Sequence, residues 1–298
     1  MKILVPIDGS SYGENAVAFL ASRATLLWDH PEIELLVVLD SFSGRVNQMV
    51  GRDSLTRYYE EEAEKCFTGA RKYLADKKIE YLETYLVGKA AETIARYAEE
   101  KQFDLIVMGS HGRTALQGLF IGSVTNGVLA RTKIPLIIVR NKPAPLEDAL
   151  KVGLAVDGSV YGLAAVKYVI KHKSIFGNGA NVTLLNVAGD YTSTVMPDMA
   201  GMALPMLSED EIKELQTKEF SEAVDPLLPA LKKAGIQTDC VSLIGNPGDE
   251  IANYAKDHNL DLVIMGSHGY GRIKSAVMGS TAMRIAAQGN VPLLLIQA

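Results

Sequence analysis

Apolar residues along this chain fall into two alternating rhythms. Short unbroken runs such as "DLIVM" (Asp104–Met108), "PLIIV" (Pro135–Val139), "DLVIM" (Asp261–Met265) and "PLLLI" (Pro292–Ile296) are too short for helices and rich in β-branched residues. Apolar at nearly every position, they predict strands covered on both faces, hence a parallel sheet with helices on each side. Between such runs the apolar positions recur with a helical period. Ala16, Val17, Leu20, Ala21, Ala24 and Leu27 share one face of a helix predicted over Gly13–Leu27. In order, the first half reads as strand Ile3–Ile7, that helix, strand Ile33–Val38 and helix Leu55–Asp76. Strand Ile79–Val87, helix Ala90–Lys101, strand Asp104–Met108, a helix over about Ser123–Arg131 and strand Ile134–Val139 follow. Such alternation predicts an α/β architecture.

The same order then repeats. "ILVPIDGSSYGENAV" recurs as "VGLAVDGSVYGLAAV", so that Asp8 matches Asp157 and Val38 matches Val187 at an offset of 149. Further on, Gly88 matches Gly245, Asp104 matches Asp261, Gly109 matches Gly266 and Pro135 matches Pro292, all offset by 157. The second copy therefore gains a net eight residues between Val187 and Gly245. "NKPAPLEDAL" (Asn141–Leu150) reads as the linker, and two domains are expected, 1–143 and 149–298.

Composition narrows the function classes. The chain is 48% apolar and 22% charged, as in ordinary globular proteins, and its net charge of −5 offers no field to attract nucleic acid or an anionic membrane. Its apolar runs fall far short of a membrane span, and the opening "MKILVPIDGS" has too short an apolar stretch for a signal peptide. Cys66 and Cys240 lie in different halves and form no CxxC pair. A reduced, cytoplasmic protein without a disulfide framework is expected.

Both halves carry Gly-x2-Gly-x9-Gly-Ser directly after a strand: Gly109, Gly112, Gly122 and Ser123, then Gly266, Gly269, Gly279 and Ser280. In open parallel sheets, ligands collect at the carboxyl ends of strands. Loops without side chains let backbone N–H groups approach a ligand, and the start of a helix favours an anion. A tight turn and a helix cap would explain a single copy equally well. The intervening residues have drifted, "RTALQGLFI" against "YGRIKSAVM", while the spacing has not, which favours a phosphate site.

On these residues the chain resembles a tandem universal stress protein, with the likeness covering nearly all of its length. ATP-binding members of that family share this glycine pattern and an aspartate closing the first strand. The resemblance implies two Rossmann-like, adenine nucleotide alpha hydrolase-like domains, each a five-stranded parallel sheet of order 3-2-1-4-5 with helices on both faces. It implies ATP, with or without Mg²⁺, near Asp8 and Asp157, the candidate metal-side carboxylates. Helix capping by those aspartates is the alternative. Val38 and Val187 match the position whose backbone meets adenine, and Pro6 matches a family proline that Ala155 replaces in the second half. Met108 and Met265 precede the glycines, and Val124 and Thr281 follow the Gly-Ser pair as further candidates. Packing explains the valines and methionines equally well. The family also implies that fifth strands pair across a dimer; here Leu136–Val139 and Leu293–Ile296 can make that pairing within one chain, as a pseudo-dimer, with a further homodimer also open.

His111 and His268 share the slot "GSHG" and read as loop residues, since no second ligand stands at metal spacing. Arg113 suits phosphate oxygens, whereas its counterpart is Tyr270, with Arg272 two positions on; unequal affinity at the two sites is expected. With no Walker lysine and no Gly-x-Ser-x-Gly elbow, any hydrolysis should be slow. Met196, Met199, Met202 and Met206 punctuate "AGDYTSTVMPDMAGMALPML", which reads as a cover, a partner surface or a packed loop. "SEDE" (Ser208–Glu211) fits a capping box. The leading expectation is a nucleotide-binding stress-response protein whose occupancy an unknown protein partner reads. A slow ATPase or adenylate-handling enzyme, and an interaction protein with vestigial pockets, are the alternatives.

Overall fold

The computed structural model describes residues 1–43, 51–113, 121–191, 208–269, 278–288 and 291–297. Strands β1 (Lys2–Ile7), β2 (Glu32–Leu39), β3 (Leu82–Val87), β4 (Leu105–Gly109) and β5 (Leu136–Val139) belong to the first half. Helices α1 (Ser11–Ala21), α2 (Ala24–Trp28), α3 (Arg52–Ala75), α4 (Ala90–Glu100) and α5 (Ser123–Leu129) alternate with them. The second half carries β6 (Lys151–Ala155), β7 (Asn181–Ala188), β8 (Thr238–Ile244), β9 (Leu262–Gly266) and β10 (Leu293–Ile296). Its helices are α6 (Val160–Lys171), α7 (Glu209–Val224), α8 (Leu228–Lys233), α9 (Pro247–Asp257) and α10 (Ser280–Gln288).

Among the described residues, ten strands form one sheet in the order β3-β2-β1-β4-β5-β10-β9-β6-β7-β8. Each half is parallel with order 3-2-1-4-5. The halves join where β5 and β10 pair antiparallel, with Leu136 opposite Leu295 and Ile138 opposite Leu293. Alternation along the strands sorts side chains between two apolar clusters. Ile3, Val5 and Ile7 pack under α1 and α3 on one face, while Leu4 and Leu36 pack with Ile94 and Val128 of α4 and α5 on the other. Both clusters draw residues from both halves. Each fully buried leucine or isoleucine contributes roughly 1.5–3 kcal/mol.

Several expected boundaries differ, among them the start of α3 at Arg52 rather than Leu55, and three have a visible cause. The helix predicted over Gly13–Leu27 is two helices, broken at Ser22 and Arg23. Ser22 Oγ donates to the Phe19 carbonyl at 2.7 Å. Arg23 is wholly buried and donates to the carbonyls of Asp148 and Glu147 at 2.8 and 3.0 Å, anchoring the linker under the sheet. The third strand starts at Leu82 rather than Ile79, because the chain closes α3 first. Lys78 takes a left-handed φ of 54° and Ile79 N–H returns to the Leu74 carbonyl. The fifth begins at Leu136 rather than Ile134, whose N–H is taken by Thr132 Oγ1. Before α7 the expected capping box forms between Ser208 and Glu211.

Candidate functional site

Asp8 closes β1 at the crevice where the strand order reverses, and its carboxylate shapes the turn into α1. Oδ1 accepts from Ser10 N–H at 3.1 Å and from Ser10 Oγ at 2.6 Å. Ser10 in turn caps α1, its Oγ accepting from Gly13 N–H. The left-handed turn between them falls on Gly9, at φ 77°, and on Gly158 in the second half, at φ 78°. Asp8 Oδ2 accepts the Arg113 N–H at 2.8 Å, which ties the glycine arm after β4 to the end of β1. Asp157 repeats the first contact, accepting from Ser159 N–H at 3.0 Å. The serine, not the aspartate, is the helix cap, and the aspartate supports it.

The glycines are close-approach positions. A Cβ on Gly112 would lie 2.6 Å from Asp8 Oδ2, and one on Gly269 would lie 2.7 Å from Asp157 Oδ2. At Gly109 a Cβ would meet the Tyr12 backbone at 2.6 Å, and at Gly266 it would meet Tyr161 Cβ at 2.4 Å. Gly122 and Gly279 fold the second arm against the first. Their N–H groups donate to the Ser110 and Ser267 carbonyls at 2.8 and 2.9 Å, and a Cβ on either would sit a tight 3.2 Å from that same carbonyl oxygen. At Gly109, Gly112, Gly266 and Gly269 an added Cβ would thus meet the protein itself.

Above each glycine arm lies a cavity, of about 310 Å³ in the first half and about 410 Å³ in the second. One end of the first is apolar, walled by Pro6, Leu36, Val38, Ile94 and Met108. Ala155, Leu185, Val187, Ile251 and Met265 repeat that wall in the second. The other end is polar. Asp8, Gly112, Arg113, Gly122, Ser123 and Val124 line it in the first cavity, and Asp157, Gly269, Gly279, Ser280 and Thr281 in the second. Gly109 and Gly266 line the cavities as well. Ser123 and Ser280 open α5 and α10, so first-turn amides, which have no intrahelical partner, stand at the polar ends.

Several wall residues escape the motif. Ile94 and Ile251 stand at the repeat offset of 157, a signal that would have found them. His111 and His268, in the loops after β4 and β9, are wall residues as well. Their rings lie 5.2 Å from Tyr12 and 5.5 Å from Tyr161, and each Nδ1 meets the hydroxyl of the preceding serine. Ser110 is wholly buried, so that contact orients the imidazole and presents no nucleophile. Arg113 lines the first cavity. Its Nε donates to the Asp8 carbonyl and its Nη2 contacts Cys66 Sγ at 2.7 Å, which folds the guanidinium back onto the protein. Burial pushes the Cys66 thiol up despite that cation.

The carboxylates were also metal candidates. Asp8 already accepts three hydrogen bonds, and among the described residues no group of three or more His, Cys, Asp or Glu is placed to hold an ion. One carboxylate per cavity suits Mg²⁺ only as the companion of phosphates, with water completing its shell. Tyr270, Arg272 and the four methionines Met196, Met199, Met202 and Met206 lie outside the described residues. Among the described residues no helix is long and apolar enough to cross a membrane.

Comparison with known proteins bears on the family and the fold. The model of the universal stress protein family matches residues 1–140 and again 150–297. Universal stress protein MJ0577 of Methanocaldococcus jannaschii is 31% identical over 156 residues, 47% of this chain and 95% of that protein. Universal stress protein Slr1230 of Synechocystis is 33% identical over 139 residues, 47% of this chain and 42% of that protein. Over its whole length the chain shares the fold of a universal stress protein from Archaeoglobus fulgidus, with a TM-score of 0.67 at 20% identity, covering 99% of this chain and 98% of that one. With one family match in each half and the duplicated aspartate and glycine arms between them, the chain belongs to the universal stress protein family as a tandem, two-domain member.

Proposed function

We propose that each half binds ATP, base against the apolar wall and phosphates along the glycine arm, and that a protein partner reads this occupancy in a stress response. Convergence carries the proposal: every residue picked out from the duplicated motif lines one of two cavities that repeat each other. Their sizes suit a small molecule, and apolar walls beside backbone donors suit a nucleotide better than a wholly apolar or wholly polar ligand. Gly122 caps α5 without a side-chain hydrogen bond, which keeps that polar end open to an anion. The family resemblance supplies ATP as the nucleotide, with Mg²⁺ carried mainly by its phosphates. Two free thiols suit a reducing cytoplasm.

The test separates binding from folding. An acid at the first helical position favours a helix but repels a phosphate placed there. Ser123→Asp and Ser280→Asp are exposed substitutions that should each remove one of two bound nucleotides without lowering the melting temperature. Titration with ATP, and assay of adenine nucleotide released when the protein is denatured, give the count. A double variant that still binds two nucleotides would overturn the proposal.

A further inference from the structure

The two helices that open with the Gly-Ser pairs, α5 and α10, each end on a side chain from the opposite half. α10 begins at the second cavity, where Ser280, Thr281, Ala282 and Met283 of its first turn form part of the wall. It runs only nine residues. Its far end meets Arg140, the residue that follows β5 in the first half. Arg140 Nη1 donates to the Ala286 carbonyl and, at 3.1 Å, to the Ala287 carbonyl. These belong to the last turn, whose carbonyls lack intrahelical partners, and a guanidinium there also complements the negative end of the helix dipole.

Arg140 is itself held on the first site's side. Its carbonyl accepts from Asn15 Nδ2 of α1 at 3.0 Å, and the carbonyl before it, of Val139, accepts Ser110 N–H from the first glycine arm at 2.8 Å. A mirror contact exists with weaker chemistry. Gln297, which follows β10, donates Nε2 to the Leu129 carbonyl at the end of α5, at 3.1 Å. That donor is neutral, and Ala164 stands at the repeat position of Asn15, so the anchor on the first helix is not repeated.

We propose that Arg140, though part of the first half, is a positioning residue for the second nucleotide site, and that Gln297 serves the first site more weakly in the same crossed manner. The inference rests on the proposal that both halves bind nucleotide. A helix this short holds its shape mainly through packing and end contacts. Phosphate binding requires the first-turn amides to be ordered, so an anchor at the opposite end lowers the ordering cost at the cavity. Simple glue between the halves predicts something else: loss of Arg140 would weaken both sites alike.

The crossed pattern is the measurement. ATP is titrated in a Ser123→Asp background, where only the second site remains, and in a Ser280→Asp background, where only the first remains. Arg140→Gln is expected to weaken the second site about five-fold and to leave the first within about two-fold. Arg140→Lys, which keeps the cation, should recover most of the loss. Equal losses at both sites, or an unchanged second site, would overturn the inference. Should Arg140→Gln fold poorly, Gln297→Arg carries the same test in reverse: it should tighten the first site alone, and no tightening overturns the idea. Wild-type protein that binds no nucleotide removes the nucleotide reading and this inference with it. Two occupied sites indifferent to residue 140 remove only the inference.

Discussion

Asp8 and Arg113 are joined through the main chain: one carboxylate oxygen of Asp8 accepts the Arg113 N–H at 2.8 Å, and a Cβ on Gly112 would intrude to 2.6 Å from that same oxygen. Gly112→Ala is therefore expected to displace the arm, destabilising the protein by about 1–3 kcal/mol and weakening the first site. Asp8→Ala removes the obstacle, so the double variant should be less destabilised than the sum of the two singles. Urea unfolding of all four proteins decides it, and strict additivity would show that the two residues do not meet.

Arg23 is wholly buried with two linker carbonyls as acceptors. Burial lowers its pKa, opposed by Asp148 and then Asp261. Arg23→Met keeps much of the apolar stem but strands those carbonyls, and is expected to destabilise by about 3 kcal/mol. A chemical denaturation midpoint unchanged from wild type would mean that the linker is held by other contacts.

His172 closes α6 with its ring 4.4 Å from that of Tyr168. Burial holds its pKa below the ordinary imidazole value, Lys171 and the chain's amino terminus push the same way, and Asp104 opposes them. The folded state thus disfavours the imidazolium, and on acidification the unfolded chain takes up the proton first. This contribution to stability is complete above the ordinary imidazole pKa and is lost as pH falls through it toward the lower folded value. His172→Phe keeps a ring without the proton and should flatten the stability profile between about pH 7 and pH 5. Parallel profiles for variant and wild type would assign the slope to other groups.

Duplication made the fold and the outline of the site legible. Gly109 and Gly266, or Asp8 and Asp157, stand out because each is kept twice amid drifted neighbours. The purpose of those glycines was less legible, since it depends on what crosses them in space: Tyr12 and Asp8 in one half, Tyr161 and Asp157 in the other. The break in the first helix was hidden for a similar reason. An arginine in a helical run reads as solvent-facing, and nothing local announces that the acceptors of Arg23 lie 124 and 125 residues further on. The ring packed beside the loop residue His111 was equally hidden, since α1 supplies Tyr12.

The antiparallel seam between β5 and β10 reverses the direction of every strand on crossing from one half to the other. Since each cavity sits at the carboxyl ends of its own strands, the two mouths open on opposite rims of the sheet. Ligands in the two cavities would face opposite rims. A protein that senses double occupancy must straddle the full breadth of the molecule or arrive as two copies, one for each rim.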